Sequence, residues 1–464
     1  MWHPTTRRSR VTRAVPEPPT LHKFPIQAMV FQRISDLLAR YSSSTTLRKI
    51  VSNISWLFVD KALRMGVGLI VGVWVARYLG PGRFGTLNYA IAFASLFGTL
   101  AVPGIDSILV RELVATPERR DALLGSAFFL KLTFSLITFP IIVGAISCVR
   151  HGDTELFRLV CLCSFGFIVQ STNVIACFFQ SKVLSKYTVY ATNLAFIAAA
   201  LLRVAFILQR RPLIAFGYSA LIELVLGAIF LSLVYRHQGL TVMRWVFNRN
   251  VAKQLLRDGW PLIISAMAIS FYVRIDQVMI GQMLNNRQVG IYSAALRVSE
   301  IWYFIPMSVV GTLLPAIVES RQHGERVYNR RIGSLYSLMA WSGIAVAMVF
   351  TFASHWVIHI LYGEAFAGAD SILRIHIWTG VPVALGVACA TVLAAENAQI
   401  ISLYATVIGA VVNVLLNWFL IPLQGARGAA MATLASQWAA LLATVLLTRS
   451  RRMGYTMLRS FIFR

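Results

Sequence analysis

Twelve times between residues 51 and 448 the chain runs apolar for about twenty residues, the length a helix needs to cross a bilayer core of roughly 30 Å. Backbone polar groups in lipid must be satisfied within the segment itself, so such runs fold as helices. The remaining composition agrees. Hydrophobic residues make up 57% of the 464 residues and charged residues 13%, against about a quarter charged in a soluble domain. The fold class is therefore an all-α polytopic membrane protein.

The expected spans are 51–77, 85–110, 122–147, 156–179, 187–208 and 212–235, then 259–283, 289–316, 332–361, 371–395, 399–422 and 428–448. Helix breakers mark the joins at Leu79-Gly80-Pro81-Gly82, Arg211-Pro212, Asn285-Asn286 and Gly425. Only the connection 236–258 is long, and it divides the chain into six spans plus six. The expected organisation is a basic disordered tail at 1–48, a six-helix bundle at 49–235, a cytoplasmic linker at 236–258, a second bundle at 259–448 and a basic tail at 449–464. Within the first tail, Phe31, Arg33, Ile34, Leu37, Leu38 and Arg40 fit either a short interfacial helix or an ordinary cytosolic one. Thr6-Arg7-Arg8 lacks a following apolar core, which argues against an export signal.

A formal charge of +25 invites a nucleic-acid reading. The basic residues lie in the tails and short connections instead, where orientation signals are expected, so nucleic acid is not the partner. Connections on the N-terminal side hold fourteen Lys and Arg against seven on the other side. By the positive-inside rule both termini are cytoplasmic. The five cysteines, Cys148, Cys161, Cys163, Cys177 and Cys389, are odd in number and scattered, which gives no disulfide framework. Cys161 and Cys163 lack a matching His or Cys cluster, so neither metal nor other cofactor is expected.

The two halves resemble each other. Tyr78-Leu-Gly-Pro-Gly-Arg-Phe-Gly85, continuing to Ala90, aligns with Gln282 to Ala295 once a one-residue shift pairs Gly85 with Gly290 and Ala90 with Ala295. Six spans per half place both copies in the same orientation. The repeat is then parallel, related by an axis along the membrane normal, with a central cavity between the bundles.

Nothing in the sequence supplies a catalytic centre. The outer connections offer Asp153, Glu155, Glu364 and Asp370 without a pairing suited to acid–base work. There is no HExxH and no phosphate-binding GxxxxGK[ST] motif. Charges inside the spans are more informative, since each costs about 2.5–3.5 kcal/mol at a helix centre. Asp60 and Arg64 are four apart on one face, and Arg297 and Glu300 three apart; both pairs read as local ion pairs or as cavity residues. Arg274 and Asp276 stand about 200° apart around their helix and cannot point the same way. Either they bridge to other helices, or Arg274 and Arg64 line a cavity that attracts an anion such as phosphate. Glu223 has no basic residue within a turn, which fits a proton-coupling site or a pairing with a distant Arg. Asn413, Asn417 and Gln437 either hydrate a path or bond across helices. Trp302, Tyr303 and Trp356 near span ends are expected as interface anchors.

Residues 72–90, Arg274-Ile-Asp-Gln-Val-Met-Ile280, Val289 through Glu300 with Trp302-Tyr-Phe-Ile-Pro306, Leu361-Tyr-Gly-Glu-Ala-Phe366 and the Asn413–Asn417 pair resemble the Wzx-type polysaccharide (O-antigen/exopolysaccharide) flippases. These belong to the multidrug/oligosaccharidyl-lipid/polysaccharide exporter superfamily. The resemblance spans roughly residues 45–450; the basic extension before it is not typical of the family. It implies two six-helix bundles around a cationic cavity, working by alternating access in the bacterial cytoplasmic (inner) membrane. The implied substrate is a polyprenyl-pyrophosphate-linked oligosaccharide whose lipid tail stays in the bilayer. Under that reading Arg64, Arg203, Arg274 and Arg297 are candidates for binding the anionic head. Asp60, Glu223, Asp276 and Glu300 are candidates for coupling to H+ or Na+, and a polysaccharide polymerase is a partner. Two alternatives stand beside it: a drug/cation antiporter of the same fold, which prefers an acidic or aromatic cavity, and a membrane polysaccharide polymerase.

Overall fold

Gly80 sets the first bend of the molecule. Its φ of 68° and ψ of 170° belong to a region that side chains with a Cβ avoid, and Pro81 then restarts the helix with φ already fixed. The computed structural model describes residues 45–396 and 398–447. The expected tails lie outside these residues, apart from Thr45–Arg48 and their helical backbone.

Helix α1 (Thr45–Ala101) carries the Gly80 bend, and α2 (Asp106–Ala115) resumes after a break at 102–105. Helix α3 (Arg120–Val149) follows, then α4 (Thr154–Gln170) with α5 (Val174–Ser181), α6 (Ser185–Leu208) and α7 (Leu213–His237). Across residues 238–248 the chain passes to α8 (Arg249–Met283), α9 (Asn286–Ile301) and α10 (Phe304–Glu319). Helices α11 (Glu325–Tyr362), α12 (Ala369–His376), α13 (Gly380–Ala395), α14 (Gln399–Gln424) and α15 (Ala426–Leu447) complete the chain. The described residues from Trp56 onward form one compact unit.

Among the described residues eleven stretches are long and apolar enough to cross a membrane. The first, Leu63–Ala115, contains two crossings joined at Gly80, which brings the count to the expected twelve. No strand occurs among the described residues. The architecture is two lobes, α1–α7 and α8–α15. Within the second lobe α14 and α15 lie together as a hairpin, and small residues permit the approach. A Cβ on Gly428 would strike the Leu420 carbonyl, and one on Gly409 would come within 2.9 Å of Ala440.

The repeated motif is where the lobes touch. A Cβ on Gly85 would overlap the Asn286 carbonyl, and a Cβ on Gly290 would overlap the Pro81 carbonyl. In the alignment Pro81 corresponds to Asn286, so one contact is the mirror of the other under the repeat. The halves make the turn by different chemistry. The first uses Gly80-Pro81; the second uses Asn285, whose side chain caps α9 by accepting from the Gln288 N–H at 3.0 Å. Around the glycines, Asn286 Nδ2 donates to Thr86 Oγ1 at 3.0 Å. Arg150 donates to the Gly281 carbonyl, Gln282 to the Tyr89 hydroxyl, and Arg77 to the Ile360 and Leu361 carbonyls. This end of the molecule is sealed by polar contacts between lobes.

Two expectations change. Trp302 is buried against Gly380, and the Tyr303 hydroxyl lies 2.6 Å from Thr379 Oγ1. They sit at the break between α9 and α10, in the middle of a crossing, so they are packing residues of the second lobe and not interface anchors. Trp356 does face outward, 71% exposed. The long connection is also shorter than 236–258, because α7 runs to His237 and α8 begins at Arg249, capped by Asn248.

Candidate functional site

The charges within the spans gather into three groups. In the first lobe, Arg64 Nε donates to Asp60 Oδ1 at 3.0 Å one turn away on α1. Arg64 also lies 3.7 Å from Glu223 Oε1 and over the Phe196 ring at 5.1 Å. Arg203 on α6 donates to Glu223 Oε2 at 2.8 Å and to Ser219 Oγ at 3.1 Å. Glu223 therefore meets its cations across helices and not along its own. Two guanidinium groups balance two carboxylates here, so Arg64 is neutralised within its lobe.

The second group surrounds Asp276, buried at 3% exposure on α8. Asn417 Nδ2 donates to its Oδ1 at 2.6 Å, while Tyr292 donates to its Oδ2 at 2.8 Å and Thr433 donates to the same oxygen. Asn417 also donates to Asn413 Oδ1 at 3.0 Å, and Asn413 to Ser436 Oγ at 3.4 Å. No cation lies within ion-pair distance of this carboxylate among the described residues. The Asn417 Oδ1 atom is buried with no donor. The cage is thus a set of neutral hydrogen-bond donors around one carboxylate, contributed by α8, α9, α14 and α15.

The third group is Arg274, Arg297 and Glu300. All three are half-buried. Arg297 and Glu300 do not form the local ion pair that their spacing suggests, and among the described residues no other carboxylate comes within ion-pair distance of Arg274 or Arg297. Arg297 reaches across to the first lobe, where its guanidinium lies over the Phe84 ring at 5.1 Å and 3.4 Å from Asn88 Oδ1. It also abuts Gly72, where a Cβ would not fit beside it. Arg297 interacts electrostatically with Arg203, Arg274 and Glu300, and Glu300 with both Arg274 and Arg297. Four guanidinium groups and three carboxylates thus share one region spanning both lobes, with the excess positive charge on Arg274 and Arg297. Asp276 stands apart, bonded to neutral donors.

Several residues escaped the sequence reading. Lys131, fully buried in α3, pairs with Asp106 at the start of α2, and Cys177 Sγ lies 3.4 Å from the same carboxylate. Both charges fall within expected spans and were visible there. The helix break at 102–105 explains them: Ser135 Oγ takes the freed Ala101 carbonyl at 2.8 Å, and Lys131 holds the new helix start. Tyr292 and Thr433 carry no charge and gave no sequence signal. Among the described residues no group of three or more His, Cys, Asp or Glu is placed to hold a metal.

Comparisons with known proteins follow the same outline. A probable low-salt glycan biosynthesis flippase, Agl15 of Haloferax volcanii, is 25% identical over 82% of this chain and 79% of its own length. A putative O-antigen transporter of Shigella flexneri is 22% identical over 68% and 78%. Among solved structures, an inward-facing multidrug resistance MATE family transporter superposes with a TM-score of 0.67 at 17% identity, covering 87% of this chain and 98% of that one. The lipid II flippase MurJ in an inward closed conformation gives 0.66 at 14% identity over 89% and 91%. These two show the fold. The MatE family model matches residues 261–419. The polysaccharide biosynthesis protein model matches residues 50–321, more than half of the chain, and the chain belongs to that family.

Proposed function

We propose that this protein is a flippase that carries a polyprenyl-pyrophosphate-linked oligosaccharide across the bacterial cytoplasmic membrane by alternating access. One observation carries the proposal: Arg274 and Arg297 stand inside the membrane region, half-buried, with no carboxylate at ion-pair distance among the described residues. An intramembrane guanidinium with no carboxylate at ion-pair distance is served by water or an anion. Pyrophosphate is that anion, because its oxygens accept the paired N–H groups of a guanidinium. The relatives named as a glycan flippase and an O-antigen transporter support the substrate class, as does the lipid II flippase in fold. The protein is a transporter and not a catalyst.

The charged head binds between the lobes while the polyprenyl tail remains in lipid. Basic connections on the N-terminal side support cytoplasmic termini, and in that orientation the sealed Gly85–Gly290 end faces the far side. The delivered unit is a substrate for a polysaccharide polymerase, the expected partner. An antiporter for cationic drugs shares the fold and the MatE match. Its substrate would meet the excess of guanidinium over carboxylate as a repulsion. In a competition experiment, undecaprenyl pyrophosphate should stabilise the purified protein thermally, and ethidium should not; stabilisation by ethidium alone would overturn the flippase reading.

Of the four candidate acids, Asp276 has the surroundings of a coupling site. Asp60 and Glu223 are already paired with Arg. Asp276 is held by neutral donors with no cation at ion-pair distance among the described residues, and this leaves its carboxylate available to a proton or to a monovalent cation. Asp276→Asn should therefore lower gradient-driven transport by about tenfold or more and abolish its dependence on the driving ion. Transport by this variant that keeps both its rate and its ion dependence would remove Asp276 from the coupling path.

A further inference from the structure

The end of the molecule opposite the Gly85–Gly290 seal carries a surface that the transport site does not use. Residues 238–248 are fixed on α3. Ser126 Oγ accepts from the Asn248 N–H at 3.0 Å and donates to its carbonyl at 3.2 Å, and the Val246 N–H donates to the Asp121 carbonyl at 3.3 Å. Gly125 leaves room for this, since a Cβ there would lie 2.6 Å from the Val246 carbonyl oxygen. Pinned in this way, the segment holds Met243 at 92% exposure, Val246 at 60% and Phe247 at 50%.

Helix α8 starts directly after it. Val251, Ala252 and Leu255 bury one face. Arg249, Lys253, Arg257 and Trp260 are all exposed, and with Leu256 they fall within about 100° of one helix face. A groove of about 840 Å³ is lined by Arg249, Asn250, Ala252, Lys253, Leu256 and Arg257. Asp258 is the acid beside it, 3.6 Å from Arg257 and already 3.2 Å from Arg111. Arg249 and Lys253 have no ion-pair partner among the described residues.

We infer that this groove binds the headgroup of an anionic phospholipid of the adjacent leaflet. The cations meet the phosphate and glycerol oxygens, while Met243, Val246, Phe247 and Trp260 enter the boundary of the acyl chains. A basic face beside exposed apolar side chains is how a segment recognises a charged membrane surface. A soluble anion would leave the apolar group in water, so a lipid is the occupant that satisfies both parts. The surface is preformed, because the segment is bonded to α3 before any lipid arrives.

Native mass spectrometry of the full-length protein, released from detergent with equimolar phosphatidylglycerol and phosphatidylcholine, tests this. The wild type should retain phosphatidylglycerol preferentially. Arg249→Gln with Lys253→Gln and Arg257→Gln should lower that retention by about tenfold or more, given three cations at an anionic surface. Arg249→Lys with Arg257→Lys should keep it, which separates charge from folding. Arg83→Gln with Arg211→Gln at the opposite end should leave it unchanged. Equal retention of phosphatidylcholine, an unaltered triple variant, an equal loss in the opposite-end pair, or displacement by inorganic phosphate would each overturn the assignment.

Discussion

Arg274→Ala should reduce translocation of lipid-linked oligosaccharide by about 30- to 150-fold without reducing the amount of protein in the membrane. The magnitude follows from the loss of a charge-assisted hydrogen bond, about 2–3 kcal/mol, at about 1.4 kcal/mol per factor of ten. Insertion should survive because no carboxylate lies within ion-pair distance of Arg274 among the described residues, and Glu300 keeps its interaction with Arg297 when Arg274 is removed. The contrast with Arg203 is instructive. Arg203→Ala would leave Glu223 with only the 3.7 Å contact to Arg64, so its loss of activity would mix folding with binding. Arg274→Lys should keep part of the activity, since an ammonium supplies the charge but not the paired donors of the guanidinium. The measurement is headgroup translocation in proteoliposomes normalised to reconstituted protein. Wild-type rates in Arg274→Ala would remove that residue from the substrate path.

Gly85→Ala and Gly290→Ala should each open the sealed end. In both cases the new methyl group meets a backbone carbonyl of the other lobe, which has no rotamer by which to withdraw. Overpacking of this kind costs about 1–3 kcal/mol, and here the cost falls only on the state in which the lobes touch. The equilibrium between states should shift by roughly five- to 150-fold toward separation at that end. Spin labels placed on either side of the seal should report a longer mean distance by double electron–electron resonance. Gly144→Ala is the control: nothing lies within 4 Å of a Cβ there, and alanine favours the helix by about 1 kcal/mol. Unchanged distances in both glycine variants would show that the contact does not govern the state.

That glycine pair also shows what the sequence made legible. The repeat was visible as a weak alignment in which Gly85 matched Gly290, and twelve spans followed from apolar length alone. A parallel repeat must have an axis, and residues on the axis meet their own counterparts; the contact of Gly85 with Gly290 is that geometry. Side-chain pairing was less legible, because it depends on which helices become neighbours. Glu223 looked isolated along its own helix, yet α6 brings Arg203 to 2.8 Å. Arg297 and Glu300 had the spacing of a pair, but Arg297 turns instead to Phe84 and Asn88 of the other lobe. Trp302 and Tyr303 were expected as interface anchors because of their residue type, yet they lie inside the span 289–316, at a helix break that packs them within the second lobe. Tyr292 and Thr433, which complete the Asp276 cage, were invisible because an uncharged residue in an apolar run carries no sign of its partner.

The direct measurement is translocation itself. Proteoliposomes loaded in the inner leaflet with a fluorescent undecaprenyl-pyrophosphate oligosaccharide should expose the headgroup to a membrane-impermeant quencher when wild-type protein and an ion gradient are present. Empty liposomes and Arg274→Ala should show little exposure beyond background. If headgroup exposure with wild-type protein equals that of empty liposomes, or if Arg274→Ala matches wild type, then a cationic interlobe site for a lipid-linked pyrophosphate is contradicted.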